Sequence, residues 1–310
     1  MTPEREAGLA ALAERLEADR RAAREEAGRR LRIAGLVGLG AAILGLLLVW
    51  AAQSALGLLG VPVVVGLLIW SRRPLGAFEA RVRADLYPEV VRLVDEGLAY
   101  APEGGVDQDA LSRAGLLPSF EDAAYTHQLS GTYRGLPVAC CHAHLTRTET
   151  TRRTDSQGRT VTETRTVTVF NGHFAILGTP GPLPTRVFLR RDGGWLGKLS
   201  ERGPDGSRQV HTEDPGFERR FDLYADDQVA ARVLFTTTYM ARVLAAAEGL
   251  NGALAATYEG DALAVSLAGS SSALDARRVT TREGLEETLT RVARETEALL
   301  DGLQRLLPPR

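Results

Sequence analysis

The sequence predicts an α+β protein: an N-terminal two-helix transmembrane hairpin followed by a cytoplasmic domain with a mainly antiparallel sheet and a long C-terminal helix. Three observations carry this prediction. Residues 33–71 contain none of the 37 basic and 39 acidic side chains of the 310-residue chain. Beyond them, alternating and helical hydrophobic patterns follow one another without the strict strand–helix alternation of a parallel sheet. The last pattern, ending before Pro308, is one amphipathic helix.

The uncharged block is long enough for two membrane spans. A bilayer core about 30 Å thick requires about 20 apolar residues in a helix, and the block is nearly twice that length. Gln53 and Ser54 form its polar break, which predicts spans at about 33–52 and 56–70. The predicted domains are an N-terminal cytoplasmic helix (1–32), the transmembrane hairpin (33–71) and the cytoplasmic α+β domain (72–310).

Charge asymmetry predicts the orientation of these spans. Arginines precede the first span and follow the second, and the connection carries none. Because basic residues near span ends stay in the cytoplasm, both termini should be cytoplasmic in a multi-pass protein of the cell inner (plasma) membrane. The spans contain no ionisable side chain, which favours an anchor in the lipid bilayer over a transporter.

Hydrophobic periodicity gives the remaining elements. Residues 3–32 and 78–100 have helical patterns, the second with a break at Pro88. Two Thr- and Val-rich runs flank Asp155-Ser-Gln-Gly158, which is typical of a hairpin. Predicted strands and helices, in chain order, are strands 137–153, 159–177, 186–190, 209–211 and 221–224, helix 238–247, and hairpin strands 254–258 and 263–268. The final helix begins at a capping box of Thr280 and Glu283.

Candidate metal ligands lie close together in one predicted strand. Cys140, His142 and His144 share a strand face and could hold Zn²⁺ with a further ligand from elsewhere. His127, His173, His211 or Asp226 could supply that ligand. Known zinc spacings are absent, so the pattern favours half-buried strand residues, and we predict no metal site and no cofactor.

A second candidate is the acidic pair Asp226 and Asp227, followed by Arg232. Two carboxylates and an arginine could perform acid/base chemistry or bind a cation. The structural alternative is that one aspartate caps a helix and the arginine forms an ion pair. Phosphate-loop, G-x-S-x-G, C-x-x-C and H-E-x-x-H motifs are missing from the sequence.

Several of these segments occur together in a known family. They are Phe217-Glu-Arg-Arg-Phe221, the run from Tyr224 to Arg232, residues 236–240, Leu98-Ala-Tyr-Ala-Pro102 and Phe170-Asn-Gly-His-Phe174. With two N-terminal spans, this combination resembles the bacterial membrane-protein family of domain of unknown function 3137. The resemblance implies a cytoplasmic α+β domain behind a membrane hairpin and no particular activity. Because family members accompany LemA-type membrane proteins, it favours an assembly or scaffold role.

Two functional hypotheses follow. The first is a non-enzymatic, membrane-anchored binding or scaffold module that contacts a membrane protein, possibly LemA-like, or a second copy of itself. Its candidate interaction surfaces are the hairpin tip at 152–159 and the surface formed by Tyr224, Asp226, Asp227, Gln228 and Arg232. The alternative is a metal-dependent or acid/base enzyme using His142, His144, Asp226 and Asp227. A net charge of -2 without a basic stripe excludes nucleic acid as the expected partner.

Overall fold

A computed structural model describes residues 3–52, 60–154, 160–191, 203–272, 274 and 285–309. The chain divides into two compact units. Unit 1 consists of residues 1–90 and 275–292, and unit 2 of residues 91–274 and 293–310. The predicted domain boundaries at 32/33 and 71/72 both fall inside unit 1 and stay predictions.

Unit 1 contains two long helices that pack against each other. Helix α1 (Pro3–Ala52) and helix α2 (Gly60–Arg81) run in opposite directions. Arg15 binds Glu89 at 2.8 Å near one end of the pair, and the Arg30 guanidinium lies 5.0 Å from the ring centre of Trp70 farther along. Because α1 runs from residue 3 to residue 52, the predicted N-terminal helix and the first predicted span belong to one continuous helix.

No helix in the part of the chain that the structure describes is both long enough and apolar enough to cross a membrane. The side chains of residues 44–52, which complete the first predicted span, lie outside the described residues. The second predicted span begins in residues 53–59, which also lie outside them. Neither span is confirmed, and both stay predictions.

The helical pattern predicted at 78–100 is interrupted earlier than expected. A π-helical turn at Val82–Leu86 separates α2 from helix α3 (Tyr87–Val94). Pro88 has no N–H and its ring displaces the carbonyl four residues before it, which accounts for the widened turn. The prediction of helix through residue 100 was wrong, because Leu98–Glu103 is strand β1 and pairs with the next strand.

Unit 2 contains a sheet whose pairings are all antiparallel among the described residues. This confirms the predicted sheet type. The described strands are ordered β1-β2-β3-β4-β9-β8-β5-β7-β6. After β1, they are β2 (Asp122–Tyr133), β3 (Leu136–Thr154), β4 (Thr160–Gly178), β5 (Val187–Arg191), β6 (Arg208–Gln209), β7 (Phe221–Ala225), β8 (Ala253–Glu259) and β9 (Ala262–Ala268).

Both predicted hairpins are present. Strands β3 and β4 pair as far as Thr154 opposite Thr160, while residues 155–159 at the predicted tip lie outside the described residues. Strands β8 and β9 are joined across Gly260, whose φ of +61° suits a tight turn. Strand β2 was missed by sequence analysis, because its side chains do not alternate cleanly between apolar and polar.

Helices complete unit 2. They are α4 (Gln108–Arg113), α5 (Pro215–Glu218), α6 (Gln228–Leu234) and α7 (Thr237–Gly249), together with the part of helix α8 (Leu285–Arg305) that follows residue 292. Helix α8 confirms the predicted long C-terminal helix, although its capping-box residues lie outside the described residues. The Tyr239 hydroxyl of α7 donates a hydrogen bond to the carbonyl of Leu306 at 2.5 Å and lies 3.1 Å from the hydroxyl of Tyr258 on β8, so these contacts connect the chain after α8 to the sheet.

Candidate functional site

The segment from α5 to α7 rests on a buried aromatic cluster. Phe217 of α5 lies 5.5 Å from Phe221 and 6.0 Å from Phe235, measured between ring centres. Phe235 in turn lies 5.0 Å from Tyr239 and 5.4 Å from Tyr258. The rings are tilted or edge-on, which are favourable arrangements for aromatic pairs. The cluster fixes the connection between α6 and α7 on the sheet.

The acidic pair at the start of α6 has two separate structural roles. The Asp227 carboxylate accepts hydrogen bonds from the backbone N–H groups of Val229 at 2.8 Å and Ala230 at 3.1 Å, so it caps the helix. Asp226 accepts from the Nε of Arg186 at 3.1 Å. The capping part of the structural alternative is present, with Asp227 as the cap. The ion-pair part is not, because Asp226 pairs with Arg186, and Arg232 forms no ion pair among the described residues.

Two other residues of the predicted interaction surface also hold the segment in place. Gln228 donates a hydrogen bond from Nε2 to the Gln209 carbonyl at 2.8 Å, which joins α6 to β6. Tyr224 is only 8% exposed. A Cβ at Gly203 would lie 2.4 Å from the Tyr224 ring, so a glycine is required there. Tyr224 therefore lies beneath the surface and not on it.

Arg232, like Asp226 and Asp227, is an exposed residue of the predicted surface. It is exposed and lines a cavity of about 490 Å³. The other polar or charged residues of the lining are His211, Thr212, Glu213, Thr236 and Thr237, and Val210, Leu223, Phe235 and Met240 provide the apolar part. The Thr212 hydroxyl is buried and has no hydrogen-bond partner among the described residues.

Helix α6 also exposes two valines that the sequence analysis did not single out. Val229 is 70% exposed and Val233 is 71% exposed. They are four residues apart and therefore lie on one face of the helix. Their spacing was visible in the sequence, but the short helix offered too little periodicity to distinguish an outward apolar face from a buried one. We call Val229, Arg232 and Val233 the α6 surface.

The predicted metal ligands Cys140, His142 and His144 all lie on β3, but their surroundings differ. Cys140 and Cys141 are both buried free thiols, and burial raises the pKa of Cys140 to about 12 and that of Cys141 to about 11. His142 lies opposite His173 of β4, with the ring centres 5.1 Å apart. Burial, together with nearby histidines, lowers the pKa of His173 to about 3. His144 is exposed on the same strand face.

Hydrogen bonds account for the two histidines nearest to this strand face. The Oγ of Ser270 donates to the Leu267 carbonyl and lies 2.8 Å from Nδ1 of His173, so Nδ1 carries the proton in this network. His127 places its Nδ1 2.9 Å from the Tyr100 hydroxyl. No group of three or more His, Cys, Asp or Glu side chains among the described residues is arranged to hold a metal ion.

The residues of the enzyme alternative are not brought together. His142 and His144 lie on β3, whereas Asp226 and Asp227 follow β7. The strand order places β3 and β7 five strand spacings apart, which is about 24 Å at about 4.8 Å per spacing. That distance is measured along the sheet, in which four strands lie between β3 and β7. His211, another suggested ligand, lies 3.7 Å from the Glu218 carboxylate instead.

The α6 surface lies within a segment of the chain that matches a protein family. Residues 168–304 match the model of the family described as protein of unknown function (DUF3137). The resemblance to DUF3137 is confirmed. The DUF3137 segment runs from within β4 to the last turn of α8, so it includes the cavity and the α6 surface. It excludes Cys140, His142 and His144, which lie before it in the chain.

Other comparisons give little more. No curated protein sequence matches the chain. A crystal structure of the mycobacterial trehalose monomycolate transport factor A, TtfA, is similar at 14% sequence identity and a TM-score of 0.36. The similarity covers 74% of this chain and 99% of that one. A score of that size does not establish a common fold.

Proposed function

We propose that the chain is a binding or scaffold module, anchored in the inner (plasma) membrane with both termini cytoplasmic, whose α6 surface docks a membrane-protein partner. The partner segment is apolar and carries an acidic residue. The observation that supports this most directly is the exposure of Val229 and Val233 beside Arg232, within the DUF3137 segment. A LemA-like protein is the kind of partner that the family resemblance suggests.

The chemistry of the α6 surface supports a protein partner. Two valine side chains exposed on one face of a helix are stabilised when another apolar surface removes them from water, by about 1.5–3 kcal/mol each. Arg232 lies between them in sequence and makes no ion pair within the part of the chain that the structure describes. An acidic side chain on the partner would satisfy this guanidinium and fix the register of docking.

Membrane anchoring is supported by the apolar surface of unit 1. Leu36 is 74% exposed on α1 and Ile69 is 61% exposed on α2. Both lie in the uncharged block, and arginines follow it at Arg72 and Arg73. A bilayer would bury these side chains, while flanking arginines would stay at the cytoplasmic interface.

The partner is tested by photo-crosslinking in membranes. A photoreactive phenylalanine analogue replacing Ala230, which is partly exposed next to Val229 on α6, should yield one discrete adduct with another membrane protein. The paired variant Val229→Ser and Val233→Ser should weaken capture at least tenfold, because about 1.4 kcal/mol corresponds to a factor of ten in affinity. The matched control Val229→Leu and Val233→Leu keeps the surface apolar and should retain capture. An adduct of twice the chain mass would identify a second copy of the chain and overturn the proposed partner, and equal loss in both variant pairs would exclude an apolar contact.

The anchor is tested by extracting membranes with alkaline carbonate. We expect the full chain to remain in the membrane pellet. Release of the chain into the supernatant, as for a peripheral protein, would refute the anchor.

A further inference from the structure

A groove of about 290 Å³ lies between α1 and α2 at the foot of the uncharged block. Arg24 and Arg72 provide its charge, and Leu31, Leu68 and Leu75 provide most of its apolar surface. Three small residues, Ala27, Gly28 and Ser71, also line the groove. Ser71 is buried, and its hydroxyl donates a hydrogen bond to the Leu68 carbonyl at 2.8 Å. Small side chains at this point leave space between the helices that larger ones would fill.

The groove has a charged end and an apolar end. Along α1, Arg24 precedes Leu31 by seven residues, a rise of about 10 Å. Along α2, which runs the opposite way, Arg72 follows Leu68. The arginines and Leu75 therefore lie on the side away from the uncharged block, and Leu31 and Leu68, 53% and 48% exposed, lie toward it. A phospholipid in a bilayer has the same arrangement, because its charged headgroup lies in a layer about 5–7 Å deep and its acyl chains lie beyond that layer.

The local charge balance favours an anionic headgroup. Two acids, Glu25 and Glu26, lie between the groove residues Arg24 and Ala27 in the sequence of α1, and Glu26 forms an ion pair with Arg30 of the same helix. Arg72 is exposed and forms no ion pair within the described ranges. Arg30 also lies over the Trp70 ring at 5.0 Å, which sets an aromatic side chain of the interfacial type at the level of the groove. Basic pockets between helices on the cytoplasmic side of a membrane are suited to anionic lipid headgroups.

We propose that this groove is a binding site for one anionic phospholipid, with its phosphate between Arg24 and Arg72 and the start of an acyl chain along Leu31 and Leu68. The proposal rests on the proposed membrane anchor. A free phosphate ion would use the arginines but not the exposed leucines, so the groove favours the lipid over the soluble ion.

The test uses the full chain reconstituted in nanodiscs of phosphatidylcholine and phosphatidylglycerol, followed by native mass spectrometry of the lipids that it retains. We expect at least a tenfold preference for phosphatidylglycerol. The paired variant Arg24→Gln and Arg72→Gln should lose this preference. The matched control Arg29→Gln and Arg73→Gln removes the same two charges from the same two helices outside the groove lining, and it should keep the preference.

Each other outcome contradicts the site. Equal loss in both variant pairs would mean diffuse attraction to a basic surface. Absence of a preference in the unaltered chain would mean that no anionic lipid is selected, and displacement of the lipid by millimolar glycerol phosphate would assign the groove to a soluble phosphate. Carbonate extraction of the same variants separates this proposal from the anchor: a chain that stays in the membrane without selecting phosphatidylglycerol refutes the lipid site alone.

Discussion

The cap of helix α6 offers the sharpest test of how the acidic pair acts. Replacing Asp227 with alanine removes the carboxylate that accepts from the N–H groups of Val229 and Ala230. Loss of an N-cap of this kind costs about 1 kcal/mol. Helix α6 has seven residues, too few to be stable without its cap and its tertiary contacts. We therefore expect the loss to appear mainly as local opening of α6.

Hydrogen exchange measures this opening directly. The N–H of Ala231 binds the Asp227 carbonyl at 3.0 Å, and the N–H of Phe235 binds the Ala231 carbonyl at 2.8 Å. A cost of about 1 kcal/mol predicts roughly fivefold faster exchange at these two amides in Asp227→Ala, because 1.4 kcal/mol is a factor of ten. Asp227→Asn should exchange almost as slowly as the unaltered chain, since asparagine also caps helices well.

The neighbouring aspartate provides the control. Asp226→Asn removes an ion pair with Arg186 but leaves the cap, and exposed ion pairs contribute about 0–1 kcal/mol. It should leave the exchange of Ala231 and Phe235 nearly unchanged. Equal acceleration in Asp226→Asn and Asp227→Ala, or no acceleration in Asp227→Ala, would refute the division of roles between the two carboxylates.

Three further predictions concern unit 2. The pKa of His173 is lowered to about 3 from an ordinary value of 6.5. Between these two pH values the unfolded state therefore binds a proton that the folded state does not, and urea denaturation should show the free energy of unfolding falling by up to about 1.4 kcal/mol per pH unit toward pH 3. The variant His173→Gln should remove this part of the pH dependence. Cys140, whose pKa is raised to about 12 by burial, should resist alkylation by iodoacetamide at pH 8 until the chain unfolds, and rapid labelling of the native protein would contradict its burial. Gly172→Ala would place a Cβ 2.0 Å from the Leu267 carbonyl oxygen, and urea denaturation should show a free energy of unfolding lower by about 1–3 kcal/mol. The control Gly135→Ala meets no atom within 4 Å but has a φ of +81°, so only its backbone angle should destabilise the fold.

The predictable parts of the fold are those in which local pattern and tertiary environment agree. Strands β3 and β4 alternate over most of their length and turn at a Gly-containing segment, so their pairing followed from sequence alone. The stretch at Leu98 was assigned to a helix because apolar residues continue the helical spacing. Gly97 overrides that spacing: a Cβ there would lie 2.4 Å from the Thr132 hydroxyl, so the backbone approaches β2 too closely for any larger residue.

The structure describes the surroundings of the predicted interaction surface, and its role in binding stays a prediction. The run from Tyr224 to Arg232 does lie beside a cavity, and Arg232 lines it. Which of these side chains face water depends on contacts with distant parts of the chain, such as Gly203 against Tyr224 and Gln209 against Gln228. No local pattern contains that information. His211 was considered only as a metal ligand and Thr236 only as part of the family resemblance, because nothing in the local sequence shows that the two residues line one cavity.

Contacts within the protein hold the run from Tyr224 to Arg232 of the DUF3137 segment in place. A sequence rich in carboxylate and amide groups suggests chemistry or recognition by those groups. In the structure, Asp226 holds Arg186, Asp227 holds the first turn of α6, and Gln228 holds β6. These bonds use part of their hydrogen-bonding capacity, and Asp226 and Asp227 stay exposed alongside Val229, Arg232 and Val233. A partner at this surface would therefore meet an apolar pair, one guanidinium and two exposed carboxylates, and the hydrogen bonds of those carboxylates also hold the helix in place for the contact.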